Sequence, residues 1–201
     1  MKEVIIFDVM GVIFTVGDDT NELLVPYILE RKPQAQKDTI KRLYLEASLG
    51  SISAGEFWTG CGFSADETED AEKTYLDTCL TLDLGFLECA KALKQKYRLA
   101  LLSNDVSEWS VYLRKRHHID DYIDYAFISG DLGLRKPDKR VYDHALRAMD
   151  IKPSECVYVD DSPERVDAAA ELGIASILFN RGNIAYKGLQ VTSFEGLRAL
   201  L

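Results

Sequence analysis

The chain opens on Val4-Ile5-Ile6-Phe7, a continuous apolar run of β-branched and aromatic residues that stops at a lone acid, Asp8. A strand apolar at every position has both faces covered, as in parallel sheets; a strand with one wet face alternates. Four more runs of this kind follow: Leu99-Ala100-Leu101-Leu102, Tyr125-Ala126-Phe127-Ile128, Cys156-Val157-Tyr158-Val159 and Ala175-Ser176-Ile177-Leu178-Phe179. Amphipathic helical patterns lie between them. Phe86, Leu87, Ala90 and Leu93 share one face, and Val141, Ala145, Leu146 and Met149 share another. After the fourth run, Ser162 at the N-cap, Pro163 at the first helical position and Gly173 beyond the end punctuate a helix. Strand alternating with helix predicts an α/β fold built on a parallel sheet.

Residues 15–83 break this rhythm. They carry helical patterns (Leu23, Leu24, Tyr27 and Ile28, then Ile40, Leu43, Tyr44 and Ala47) but no buried-strand run, with a turn over Gly50–Ala54. They read as a helical cap inserted between the first and second strands, leaving residues 1–14 and 84–201 as the core. A length of 201 residues suits one domain with such an insertion.

The net charge of -9 and the lack of a Lys/Arg stripe argue against nucleic acid as a partner. The same acidity repels small anions, so any phosphate-handling site must supply its own local positive charge. Cys61, Cys79, Cys89 and Cys156 have neither zinc spacing nor close pairing and read as reduced thiols. No run approaches the ~18 apolar residues of a membrane span, and the N-terminus does not read as a signal peptide, so the cytoplasm is the expected compartment. The spacing says nothing about oligomeric state.

In an open parallel sheet, ligands bind beyond the carboxyl ends of the strands. Asp8 ends the first strand, Ser103-Asn104 the second and Asp160-Asp161 the fourth, while Lys136 follows the third and precedes Pro137 and a helix. Singly, each has a structural explanation: Ser103 and Asn104 as helix caps, and Asp160-Asp161 as acids at a helix N-terminus, favoured by about 0.3–1 kcal/mol. Lys136 resists one, because Arg135, Lys136, Lys139 and Arg140 crowd a helix start where cations oppose the dipole, so an anion is expected nearby. Carboxylates converging at adjacent strand ends would repel one another unless a hard cation lay between them, and oxygen-only ligands suit Mg²⁺. The chemistry that emerges is phosphoryl transfer from a small phosphorylated molecule. Asp8 is the nucleophile, Asp8 with Asp160/Asp161 holds the metal, and Ser103 and Lys136 bind the phosphoryl oxygens beside Asn104.

In this order, Phe7-Asp8-Val9-Met10-Gly11-Val12, Leu101-Leu102-Ser103-Asn104, Arg135-Lys136-Pro137 and Val159-Asp160-Asp161-Ser162 resemble the four motifs of the haloacid dehalogenase superfamily. The insertion is similar to that family's C1 cap. The Gly130–Pro137 segment and the Asp-Asp pair look most like bacterial α-glucose-1-phosphate phosphatase-type sugar-phosphate phosphatases. The resemblance implies a Rossmann-like sheet of order 5-4-1-2-3, a mobile cap, and Mg²⁺ bound also by the backbone carbonyl of Met10.

Met10 is also the departure, since most phosphatases of the superfamily have there an Asp that serves as general acid and base. A thioether does neither job, and such help is worth ~10²–10⁴ in rate. A substrate with an acidic leaving oxygen, such as an anomeric hydroxyl, would tolerate the loss. Two other readings compete. One is a 2-haloacid dehalogenase, whose halide leaving group needs no acid, although the Asp160-Asp161 pair fits a metal that halide displacement does not require. The other is a catalytically weak protein that binds phosphorylated metabolites on the same scaffold.

Overall fold

The computed structural model describes residues 2–201. Five of its strands are those expected: β1 (Val4–Phe7), β2 (Arg98–Ser103), β3 (Tyr125–Ile128), β4 (Cys156–Asp160) and β5 (Ala175–Phe179). A short sixth, β6 (Gln190–Val191), extends one edge, and every neighbour pairing in the order β3-β2-β1-β4-β5-β6 is parallel. This is the order 5-4-1-2-3 read from the opposite edge, with one strand added. A two-residue strand, Gln190–Val191 between Leu189 and Thr192, leaves too little apolar sequence to register as a run.

Side chains alternate between the two faces of the sheet, which explains why the strands are apolar throughout. On β1, Ile5 and Phe7 join the larger hydrophobic core, while Val4 and Ile6 join the smaller one on the other face. The smaller core is covered by Val141, Tyr142, Ala145 and Leu146 of helix α8 (Lys139–Ala148), with Ala169 of α9 (Pro163–Ala170). The larger is covered by α5 (Leu84–Leu93), α6 (Ser107–Arg116) and α10 (Phe194–Leu200). A single helical turn, α7 (Ser129–Leu132), follows β3.

The stretch between β1 and α5 is helical. A π-helical turn over Thr20–Leu24 runs into α1 (Val25–Arg31), followed by α2 (Lys37–Ala47), α3 (Ala54–Gly60) and α4 (Thr68–Thr78). Ser53 and Glu56 form a reciprocal capping box that starts α3 after the Gly50 turn. These helices share the larger core with the sheet. Trp109 of α6 reaches into their aromatic cluster, stacked on Tyr44 at 6.0 Å and edge-on to Phe57 at 5.4 Å. The Trp58 and Trp109 indoles both donate to Glu72 of α4, at 2.9 and 2.7 Å. Gly60-Cys61-Gly62-Phe63-Ser64-Ala65 matches a dinucleotide fingerprint by letter, but it begins at the end of α3 with no strand before it. Among the described residues the four cysteines are free, and no helix is long and apolar enough to cross a membrane.

Candidate active site

Strand β1 sits at the centre of the sheet, and Asp8 leaves its carboxyl end fully among protein atoms, 2% exposed. The Val9 amide donates to Asp8 Oδ1 at 2.6 Å. Lys136 Nζ, buried, lies 2.7 Å from Asp8 Oδ1 and 2.8 Å from Asp160 Oδ2, bridging the ends of β1 and β4. The anion demanded by the cationic start of α8 is therefore this carboxylate pair. The neighbouring cations go elsewhere: Arg135 to the Ser48 hydroxyl, Lys139 to Glu171 and Arg140 to Asp138.

Asn104 anchors the lysine. Its Oδ1 accepts from the Lys136 amide at 2.8 Å and its Nδ2 donates to the Lys136 carbonyl at 2.9 Å, so the side chain is committed to positioning. Asp160 is equally committed, accepting from the Ser162 amide at 2.9 Å and from the Tyr158 hydroxyl besides Lys136. With its amide so used, Ser162 occupies the N-cap of α9 without making a side-chain cap. Asp161 is different: its carboxylate is 26% exposed and packs beneath Gly11 and Gly17, where any Cβ would collide with it. Gly11 also has φ +79°, a left-handed conformation natural to glycine.

Asp8, Asp160 and Asp161 each offer an oxygen within 4.8 Å of the others, an all-carboxylate set suited to a hard cation. Burial, then the Asp160 charge, raises the pKa of Asp8, while Lys136 and Arg165 hold Asp160 below the usual carboxylate range. Asp161 is pushed up to about 7 by burial and by the charges of Asp8 and Asp160. Three carboxylates face two cations, so one negative charge is uncompensated and a proton is retained. The set fits a divalent cation on this ground.

Arg165 was not among the residues singled out from sequence. One turn into α9, its Nη1 lies 3.0 Å from Asp8 Oδ2, 3.6 Å from Asp160 Oδ1 and 3.9 Å from Asp161 Oδ1. A basic residue in the first turn of α9, opposed to the dipole as Lys136 was, is the signal that could have found it. Asp19, equally unmarked, resembled an ordinary acid before a helix. Arg181, at the end of β5, holds the loop after β1 by donating to the Gly11 and Val12 carbonyls at 3.1 and 2.8 Å.

A cavity of about 280 Å³ opens over Asp8, and Met10, Asp19, Ser103, Asn104, Arg135 and Arg165 are among its lining residues. Ser103 is buried at the end of β2, facing this space. Tyr44 of α2 lines it as well, whereas Phe57 and Trp58 are buried in the aromatic cluster. A second cavity of about 400 Å³, with Asp161, Gly11, Gly17 and Arg181 in its wall, adjoins on the side of Asp161.

An open parallel sheet with a buried acid at the end of its central strand, and cations and paired acids converging on it, defines an α/β fold with a charged strand-end site. The chain belongs to the haloacid dehalogenase-like hydrolases, whose family model matches residues 2–173. It is 26% identical over 180 residues to a D-ribitol-5-phosphate phosphatase of Bacteroides thetaiotaomicron, covering 84% of this chain and 87% of that protein. Among solved structures, it is similar in fold to a haloacid dehalogenase-family enzyme from B. thetaiotaomicron in complex with magnesium and inorganic phosphate. That pair has a TM-score of 0.76 and 20% identity over 89% of this chain and 94% of the other. A 2-haloacid dehalogenase from Pseudomonas syringae pv. Tomato DC3000 shares the fold with a TM-score of 0.73 at 16% identity, over 100% and 98% of the two chains.

Proposed function

We propose that this protein is a magnesium-dependent phosphatase of small phosphorylated metabolites, sugar or polyol phosphates above all, acting through an aspartyl-phosphate on Asp8. The observation that carries the reading is the setting of Asp8. It is a buried carboxylate at a strand end, facing a cavity of about 280 Å³ and held between Lys136 and Arg165. Similarity to a D-ribitol-5-phosphate phosphatase along most of both chains supports the substrate class, and the cavity suits a small metabolite more than a drug-sized ligand. In this reading residues 15–83 act as a cap over a core made of 1–14 and 84–201.

Asp8, Asp161 and the Met10 carbonyl would hold Mg²⁺, with Asp160 close by. The ion supplies charge neutralisation of the phosphoryl oxygens and discharges the surplus carboxylate of the site. Asp8 Oδ bonds to phosphorus while the ester P–O bond breaks. Lys136, already aligned on Asp8 by Asn104 and Asp160, stabilises the charge that builds on the equatorial oxygens together with the Ser103 hydroxyl. Water then attacks phosphorus, the Asp8–phosphorus bond breaks, and inorganic phosphate leaves. The test is phosphate release across a panel of sugar and polyol phosphates with Mg²⁺ and with EDTA, using Asp8→Asn as the blank. Turnover confined to the wild type with Mg²⁺ is expected; equal turnover by Asp8→Asn would refute the nucleophile.

A further inference from the structure

Met10 leaves the reaction without the group that would protonate the leaving alcohol, and a second acid stands in the same cavity. We propose that Asp19, carried by the turn that begins the helical insertion, is the general acid and base of this site, a role relocated from the position of Met10. The inference rests on the phosphoaspartate reading of Asp8.

Three observations support it. Asp19 lines the cavity that also exposes Asp8 and Met10, although it is only 7% accessible. Its carboxyl has no side-chain hydrogen-bond partner among the described residues, whereas neighbouring Asp18 is taken by Asn21, which donates to it at 2.9 and 2.8 Å. Its surroundings also favour the proton: burial raises its pKa to about 7, with Asp18 and Asp8 adding to the rise and the Thr20 backbone amide and Arg135 opposing it. A group that titrates near the working pH is the one suited to give and retake a proton. The other acid nearby, Asp105, is 1% exposed, does not line the cavity, and has its Oδ2 sealed off without a partner.

The groups that face Asp19 come from every element around it. They are Asp8 from β1, Tyr44 and Lys41 from α2, Tyr75 from α4, Asp105 beyond β2, Arg135 ahead of α8 and Arg165 from α9. Arg135 is the cation that limits the rise, and burial together with the acids outweighs it.

The proton balance is closed. As Asp8 Oδ bonds to phosphorus and the ester P–O bond breaks, the leaving oxygen takes the Asp19 proton and departs as the alcohol. The Asp19 carboxylate then removes a proton from water while that water's oxygen bonds to phosphorus and the Asp8–phosphorus bond breaks. Asp19 ends protonated, as it began.

The experiment compares the wild type, Asp19→Asn and Asp8→Asn on p-nitrophenyl phosphate, whose leaving group needs no proton, and on an alkyl sugar phosphate, whose leaving group does. Asp19→Asn is expected to lose about 10²–10⁴-fold in kcat/KM on the alkyl ester and at most a few-fold on the aryl ester. It should also lose the alkaline fall in rate that the wild type shows above pH 7. An equal fractional loss on both esters, or none on either, overturns the assignment. If Asp19→Asn fails to fold, the wild type decides alone: its rate should depend weakly on leaving-group acidity below pH 7 and steeply above it, and a slope that does not change with pH overturns the proposal. Activity retained by Asp8→Asn would defeat the underlying reading instead, leaving the two failures distinct.

Discussion

Lys136→Met tests the electrostatic centre of the site by replacing the ammonium with an unbranched apolar side chain one atom shorter. Among the described residues, Lys136 Nζ is the sole cation lying against both Asp8 and Asp160 within 2.8 Å, and all three side chains are buried. At an effective dielectric of ~20, each contact is worth roughly 6 kcal/mol of Coulomb attraction. Desolvation of the ammonium and the two carboxylates offsets most of that, and removing one partner of such a buried set costs about 3–5 kcal/mol. For a chain of this length the melting temperature should fall by roughly 6–20 °C. Urea unfolding in EDTA measures the gap, and its pH dependence has a definite sign. In the wild type, Asp160 is held below its ordinary value, so its stabilisation is present above pH ~4 and is lost as pH falls through the folded value. In the variant, Asp8 and Asp160 are left with Arg165 alone, so their pKa values rise and stability declines as pH increases from about 4. Both trends widen the gap toward neutral pH and close it toward pH 4. A difference below about 1 kcal/mol at pH 7, or one that does not vary with pH, would refute the argument.

Further outcomes follow from the same geometry. Because Asp161 retains a proton up to about pH 7, Mg²⁺ affinity should rise with pH through that value and binding should release protons; calorimetry at pH 6.5 in buffers of different ionisation enthalpy should give different apparent heats, and identical heats would count against it. Gly17→Ala places a methyl against the Asp161 carboxylate, so Mn²⁺ binding followed by paramagnetic resonance should weaken about tenfold, whereas unchanged affinity would exclude Asp161 as a ligand. Glu72→Leu leaves the buried Trp58 and Trp109 indole N–H groups without their acceptor, and urea unfolding followed by tryptophan fluorescence should show a loss of about 2–6 kcal/mol.

Much of the sheet was legible because each doubly covered strand must be apolar at every position. That is why Val4–Phe7, Cys156–Asp160 and the others stood out against amphipathic helices. Asp8, Lys136, Asp160 and Asp161 were legible for a related reason: polar residues that end buried strands or oppose a helix dipole are costly unless they meet a partner. Asn104 and Asp160 were expected to bind substrate and metal, and the bonds each makes to Lys136 were not legible. Whether an amide or a carboxylate faces a ligand or holds a neighbour depends on which backbone groups lie within 3 Å, as the two Asn104–Lys136 bonds show.

The sequence by itself determined the parallel α/β core, the inserted helices and the converging strand-end residues, since local periodicity and the charge of single residues carry that information. Only the tertiary structure decided that Arg165 enters the carboxylate set, that Trp109 joins the core to the inserted helices, and that Asp19 shares a cavity with Asp8. The physical reason is distance through space. Burial, Coulomb attraction and proton affinity depend on separations of a few ångströms between residues far apart in the chain, such as the 3.0 Å between Arg165 and Asp8, and no local pattern of residues encodes them.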